Sequence, residues 1–220
     1  MHYITNTMEF QIYEPTVVTI GKFDGRHRGH QKLMAQMRQV REQYGYRTAV
    51  FTFSVVPDAM VTGKAQRVLT TNLERRRNME RTGIDYLVEY PFTQETLHMM
   101  PEDFVRDILV GQMNAKAIVV GTDCSFGYQR LGTAQVLREL SERYHYKLWV
   151  IEKEKDEERD ISSTYIREEL DQGHVEKAWE LLGEPYAIHG VVVHGRNMGG
   201  RILGFPTANL VPPAGKRLPL

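Results

Sequence analysis

The chain is nearly without cysteine. Cys124 is the single one among 220 residues, so no intrachain disulfide can form and a reducing cytoplasm is the expected setting. It also lacks an excess of either charge: Lys and Arg number 28, Asp and Glu number 28, and the formal net charge is zero. A broad grip on nucleic acid or on an anionic membrane needs a basic surplus, so neither partner is expected. The balance leaves room for a local basic pocket that takes a small phosphorylated ligand. No basic start followed by an apolar run opens the sequence, so no signal peptide is expected, and the longest apolar stretches are strand-sized, far below a membrane span. There is no internal repeat, no low-complexity tract and no G-x-x-x-x-G-K-S/T string, which excludes a Walker loop. What remains, with 41% hydrophobic and 25% charged residues, is the composition of a soluble globular protein with a sizeable core. The length suits one full domain plus a remnant, or two small domains.

Strand-like runs alternate with helical periodicities. Thr16–Ile20 is short, β-branched and apolar, as a strand buried on both faces requires. Similar strands are predicted over 48–53, Tyr86–Tyr90, 117–120 and 148–151. Leu33, Met34, Met37, Val40 and Tyr44 keep to one helical face, with Gly45 as the stop. Further helices are predicted over 73–82, from Pro101 with Phe104, Val105, Ile108 and Leu109 as its buried stripe, and after Thr133 as a cap. Two more follow, over 163–172 and Val175–Leu182. This β-α-β alternation predicts a doubly wound, mostly parallel α/β sheet. Its ligands belong at the carboxyl ends of the strands, in the segments after Ile20, Phe53 and Val120. Residues 186–194 alternate as a strand, and 152–160 read as a solvated loop before a site. A domain boundary is placed near Gly183, separating 1–183 from 184–220.

Residues 21–30 read Gly-Lys-Phe-Asp-Gly-Arg-His-Arg-Gly-His and join a buried strand to an amphipathic helix. A helix amino end offers unpaired N–H groups and a positive dipole, a ready anion site. His27 and His30 stand there, and Gly29 between them lets a phosphate approach the backbone. The pattern suits a polyphosphate and the charge that grows during phosphoryl transfer. A solvated or capping histidine is the plainer alternative; a zinc pair is another, with no cysteine or third histidine at ligand-like spacing nearby. Ser162, Ser163 and Thr164 place three hydroxyls at a second helix start, with Arg167 inside its first turn. They serve either as an ordinary N-cap or as holders of phosphate oxygens.

The string G-x-F-D-G-x-H-x-G-H after a buried strand resembles the HxGH nucleotidyltransferases, and most of all the bacterial bifunctional riboflavin kinase/FAD synthetases. Residues 161–167, Ile-Ser-Ser-Thr-Tyr-Ile-Arg, resemble that family's I-S-S-T-x-I-R signature. Residues 119–127 resemble its V-G-x-D/N-F-x-F-G, with Asp123 and Phe126 matching and Cys124 in place of the first aromatic. Residues 52–57 keep the threonine, phenylalanine and last proline of T-F-x-P-H-P, while Val55 and Val56 replace the first proline and the histidine. Lys22 stands where the family usually has Asn, either reaching a phosphate or lying exposed.

The resemblance implies a Rossmann-like nucleotidyltransferase that transfers AMP from ATP to FMN, giving FAD and pyrophosphate. It implies that His27, His30, Ser162, Ser163, Thr164 and Arg167 hold the phosphates and the transition state. Gly21, Lys22, Phe23, Asp24 and Gly29 would shape the nucleotide pocket, and Asp123 and Phe126 would hold the flavin, Phe126 either stacking on its ring or packing beneath a loop. Mg2+ is expected with the ATP, without a dedicated protein cage. Residues 186–209 resemble the opening of the family's riboflavin kinase barrel, whose G-F-P-T-A-N carries a magnesium-contacting threonine and asparagine, here Thr207 and Asn209. Because the sequence stops at Leu220, riboflavin kinase activity is expected to be absent and the last thirty or so residues are expected to be loosely held or to pair with another copy. Another phosphorylated acceptor, or a degenerate flavin-binding protein without turnover, are the competing readings.

Overall fold

Strands that are apolar on both faces need cover on both faces, and the chain supplies it. The computed structural model describes residues 1–54, 67–195, 204–205 and 208–220; Val55, Val56, Pro57, the glycine-rich run 196–203 and Thr207 lie outside them. Six strands are β1 (His2–Thr5), β2 (Thr16–Ile20), β3 (Arg47–Phe53), β4 (Tyr86–Tyr90), β5 (Ala115–Gly121) and β6 (Lys147–Ile151). They form one sheet in the order β1-β4-β3-β2-β5-β6, and every neighbouring pair is parallel. The doubly wound prediction holds.

Alternation along the strands divides the core. Val17, Val50, Leu87, Ala117 and Val119 face one way, toward Met34, Met37 and Val40 of helix α1 (Arg28–Tyr44) and Met79 of α2 (Asn72–Arg81). Val18, Ala49, Phe51, Val88, Ile118 and Val120 face the other way, toward Phe104, Val105, Ile108 and Leu109 and toward Leu137 and Leu140 of α3 (Ala134–Tyr144). A third cluster joins Leu69 to Ile161 and to α4 (Ser163–Asp171) and α5 (Val175–Leu182). From β2 the chain winds through β3 to β4 on one side, whereas β5 pairs on the other. That reversal opens a crevice at the carboxyl ends of β2 and β5, the usual ligand position in such sheets.

The predicted stops are where the sequence put them. Gly45 ends α1 with φ 72°, a conformation that favours glycine, and its N–H donates to Arg41 O. Several expectations are corrected. The helix predicted from Pro101 is α-helical only over Pro101–Asp103 and then π-helical over Phe104–Gln112. Its buried residues Phe104, Ile108 and Met113 recur at steps of four and five, which the wider turn brings onto one face. The strand expected over 186–194 survives only at Val191–Val193, paired with Asn209–Val211. Residues 186–190 are fastened by side chains instead: the Tyr186 hydroxyl shares its one proton between Arg217 O at 2.8 Å and Leu69 O at 3.1 Å. The solvated loop 152–160 contains a small antiparallel pair, Lys155–Asp156 with Arg159–Asp160. The expectation of a loosely held tail fails for 215–220, which bonds to Val68 and to Leu170 of the same chain.

Glu89, on β4, is fully buried. Arg75 and Arg76 of α2 both bond to it, as does the Tyr3 hydroxyl from β1. Burial raises the Glu89 pKa, but the Tyr3 hydrogen bond and the two guanidiniums outweigh it and leave the carboxyl below its ordinary range. Removing one partner of such a pair leaves the other charge buried and unpaired. Glu89→Ala is therefore expected to lower unfolding free energy by about 3–5 kcal/mol, read from urea melts.

Candidate functional site

The two histidines stand at the amino end of α1. His27 is the N-cap, and its Nδ1 accepts the backbone N–H of His30. His30 Nδ1 donates to Gly25 O at 2.7 Å. A carbonyl only accepts, so the proton of neutral His30 sits on Nδ1 and its Nε2 carries the lone pair. His27 is the reverse, with the proton on Nε2. The rings stack with centroids 3.7 Å apart. Gly29 makes this possible: a Cβ there would come within 3.1 Å of His27 Nδ1. Beyond the approach read for a phosphate, this glycine also leaves the space in which the His27 ring lies.

Burial, and then the neighbouring His30, push the His27 pKa down to about 2. Burial likewise lowers His30, to about 4; the Gly25 hydrogen bond and the charges of Asp24 and Asp123 resist it. The site thus holds two neutral imidazoles. Phe23 lies beneath them, 2% exposed and 4.9 Å from His30 between centroids. Its φ is 48°, a strained value for a bulky residue, and Gly21 accommodates the turned ring because a Cβ would meet it at 3.2 Å. Phe23 therefore supports His30 from the core and presents no face to a nucleotide.

Asp24, 7% exposed, ties the loop to two distant segments. Its Oδ1 accepts from Thr70 N at 2.9 Å, its Oδ2 pairs with Arg167, and its carbonyl accepts from Ser163 Oγ at 2.6 Å. Thr70 Oγ1 in turn accepts from Gly25 N at 3.0 Å. The start of α4 is thereby locked beside the start of α1, and Ile161 O lies 3.9 Å from a Cβ on Gly29. Ser162 caps α4 through Tyr165 N, Ser163 is spent on Asp24, and Thr164 is exposed on the first turn. Arg167, expected to neutralise phosphate charge, is engaged by Asp24, while its Nε is buried without a hydrogen-bond partner among the described residues.

Across the crevice, after β5, Asp123 is exposed and pairs with Lys153 at 3.3 Å; Lys153 also pairs with Asp160 at 3.1 Å. With Thr122, Glu152 and Lys155 they line an open groove of about 350 Å³. Lys22 is exposed at the end of β2. Phe126 is not in this crevice. It packs on Phe104 in the core of the opposite face, 9% exposed, with Gly132 so close that a Cβ would overlap its ring at 2.6 Å. Of the two readings of Phe126, packing beneath a loop is the one this placement supports. Asn209 stands in the Val191–Val193 hairpin. Sequence reasoning missed Thr70 and Lys153. Thr71-x-x-Glu74, a capping box visible in the sequence, marks the segment holding Thr70, and Lys153 stands just past the carboxyl end of β6.

No group of three or more His, Cys, Asp or Glu suited to a metal occurs among the described residues. Asp123 and Asp160 are paired with Lys153, and Asp24 with Arg167, and no helix of the described residues is long and apolar enough to cross a membrane.

Residues 9–165 match the FAD synthetase family, and residues 182–219 match the riboflavin kinase family. Among curated relatives, the bifunctional riboflavin kinase/FMN adenylyltransferases of Bacillus subtilis and Escherichia coli are 35% and 34% identical. They cover 91% and 90% of this chain, which spans 65% and 63% of their own lengths. A solved structure titled as a macrolide-efflux protein from Streptococcus pneumoniae superposes with a TM-score of 0.86 at 31% identity, over 99% of this chain and 71% of that one.

Both histidines bind protons more readily unfolded, near the ordinary 6.5, than folded. Their contribution to stability is full above that value and is lost as pH falls from about 6.5 toward 4. Each adds a slope approaching about 1.4 kcal/mol per pH unit in that window. His30→Asn should flatten the pH dependence of the urea midpoint between pH 6.5 and 5; an unchanged slope would contradict the neutral assignment.

Proposed function

The chain belongs to the FAD synthetase family, and from that premise we propose that it transfers the AMP moiety of ATP to FMN, releasing pyrophosphate and FAD, in the cytoplasm. The observation that carries the proposal is the stacked pair of neutral histidines between two converging helix amino ends at the switch point of the sheet. An FMN phosphate oxygen forms a bond to the α-phosphorus of ATP as the bond to the bridging oxygen of pyrophosphate breaks. The attacking oxygen is already anionic, so no general base is required, and positioning and electrostatics remain as the sources of rate.

The chain's residues divide that work. His27 Nε2–H is a ready donor to a phosphate oxygen. His30 Nε2 accepts a proton once a polyphosphate supplies the opposing charge, and it then donates as well. The free N–H groups at the starts of α1 and α4, with the Thr164 hydroxyl, add neutral donors aligned with the helix dipoles. Asp24, Ser163 and Arg167 act behind them by holding the two helix starts in register. Asp123 and Lys153 offer a polar wall toward the acceptor. Mg2+ would arrive on the nucleotide's own oxygens, whose charge it neutralises, rather than in a cage among the described residues.

Chromatography of purified chain with FMN, ATP and magnesium tests the proposal. FAD is expected, and His30→Ala should reduce its rate by about 10²–10³. Folded chain that makes no FAD would defeat it. Charging of His30 by the ligand further predicts proton uptake on ATP binding near pH 7, seen as a dependence of the calorimetric heat on buffer ionisation enthalpy.

A further inference from the structure

Residues 215–217 lie along residues 68–70, far from their own neighbours in sequence. Val68 N donates to Gly215 O at 2.8 Å, and Arg217 N donates to Val68 O at 2.9 Å. Between them Lys216 turns inward, with 1% of its side chain exposed. Its Nζ donates to Leu69 O at 2.6 Å and to Glu74 Oε2 at 2.9 Å, and it lies 4.4 Å from the centre of the Tyr186 ring. An ammonium removed from water is retained only where such partners replace its hydration. Its acceptor Leu69 adjoins Thr70, which bonds both Asp24 and Gly25. The Leu69 side chain also packs on Gly25, where a Cβ would meet Leu69 Cδ1 at 3.0 Å. Gly25 O is the acceptor for His30, and Asp24 is the partner of Arg167. Burial lowers the Lys216 pKa, and the Glu74 hydrogen bond with the charges of Glu74 and Asp24 resists it, so these partners hold the ammonium in place.

We propose that Lys216 is a positioning residue for adenylyl transfer: by clamping the Leu69 carbonyl it sets Thr70, and through Thr70 the Asp24 and Gly25 on which Arg167 and His30 rest. The inference builds on the proposed function and extends it. A residue within the riboflavin kinase match becomes a working part of the nucleotidyltransferase site.

The test uses the full chain carrying Lys216→Met with Glu74→Gln, which removes both buried charges together so that neither is stranded. Its folding is checked by urea melts. Displacement of the two helix starts by a fraction of an ångström should lower kcat for FAD formation about tenfold or more, with KM for FMN within about twofold. Hydrogen exchange of the His30 Nδ1–H, followed by NMR without substrate, should quicken by a similar factor. Tyr186→Phe, which removes a second donor from the same carbonyl, is the milder variant and should shift both readouts in the same direction. Arg217→Ala, which frees the tail from Asp171, should leave both at parental values. Parental kcat and exchange in the Lys216 variant would overturn the proposal, as would equal effects from Arg217→Ala. A parent chain that makes no FAD would defeat the proposed function, while the imidazole exchange, which needs no turnover, would still decide on Lys216.

Discussion

The ion pair between Asp24 and Arg167 is the contact on which the rest of the site depends. Asp24 is separated from Thr70 by 46 positions and from Arg167 by 143, yet all three meet within hydrogen-bond distance. Two charges taken out of water at this depth would be unfavourable without additional partners. The carboxylate therefore receives Thr70 N, and the loop carbonyl receives Ser163 Oγ. The outcome is geometric. Two helix amino ends that would otherwise be set by loop conformation are fixed against a central strand of the sheet, and preorganised donors are what phosphoryl chemistry draws on.

The sheet gives this junction its position. A parallel order that reverses between β2 and β5 leaves one place where connections diverge, and the loop 21–30 occupies it. The histidine stack and Asp123 opposite line that opening, and Phe23 closes it from beneath. The wide π-helical segment and Phe126 belong to the opposite face, where they fill the core and leave the crevice to polar groups. The site is thus polar above and densely packed below. This division keeps imidazoles neutral without isolating them from an incoming anion.

Much of this was legible in the sequence, because the determinants are local. An apolar β-branched run such as Thr16–Ile20 can only be a doubly covered strand here, and Gly45 can only be a stop. The histidine string also announced its place at a strand-to-helix junction. What escaped were contacts between residues distant in the chain. Nothing near Arg167 shows that Asp24 will occupy it, and nothing near Phe126 shows that Phe104 and Gly132 will enclose its ring. The edge strand β1 was missed because His2–Thr5 carries little periodicity and is defined by its pairing with β4. Gly29 was read by residue type as room for a ligand, and its bareness also makes room for the ring of His27, two residues away.

The stacking of two uncharged imidazoles has a consequence for which molecules can dwell in the crevice. A charged ring at that depth is favourable only while an anion stands against it. On the proposed function, a triphosphate would bring that anion, recruit a proton and convert a passive surface into a cationic one. A nucleoside of the same shape without phosphates brings nothing to hold the proton and meets only two neutral rings. Selection between them thus lies less in the fit of a base than in a charge the protein does not carry until the right guest arrives.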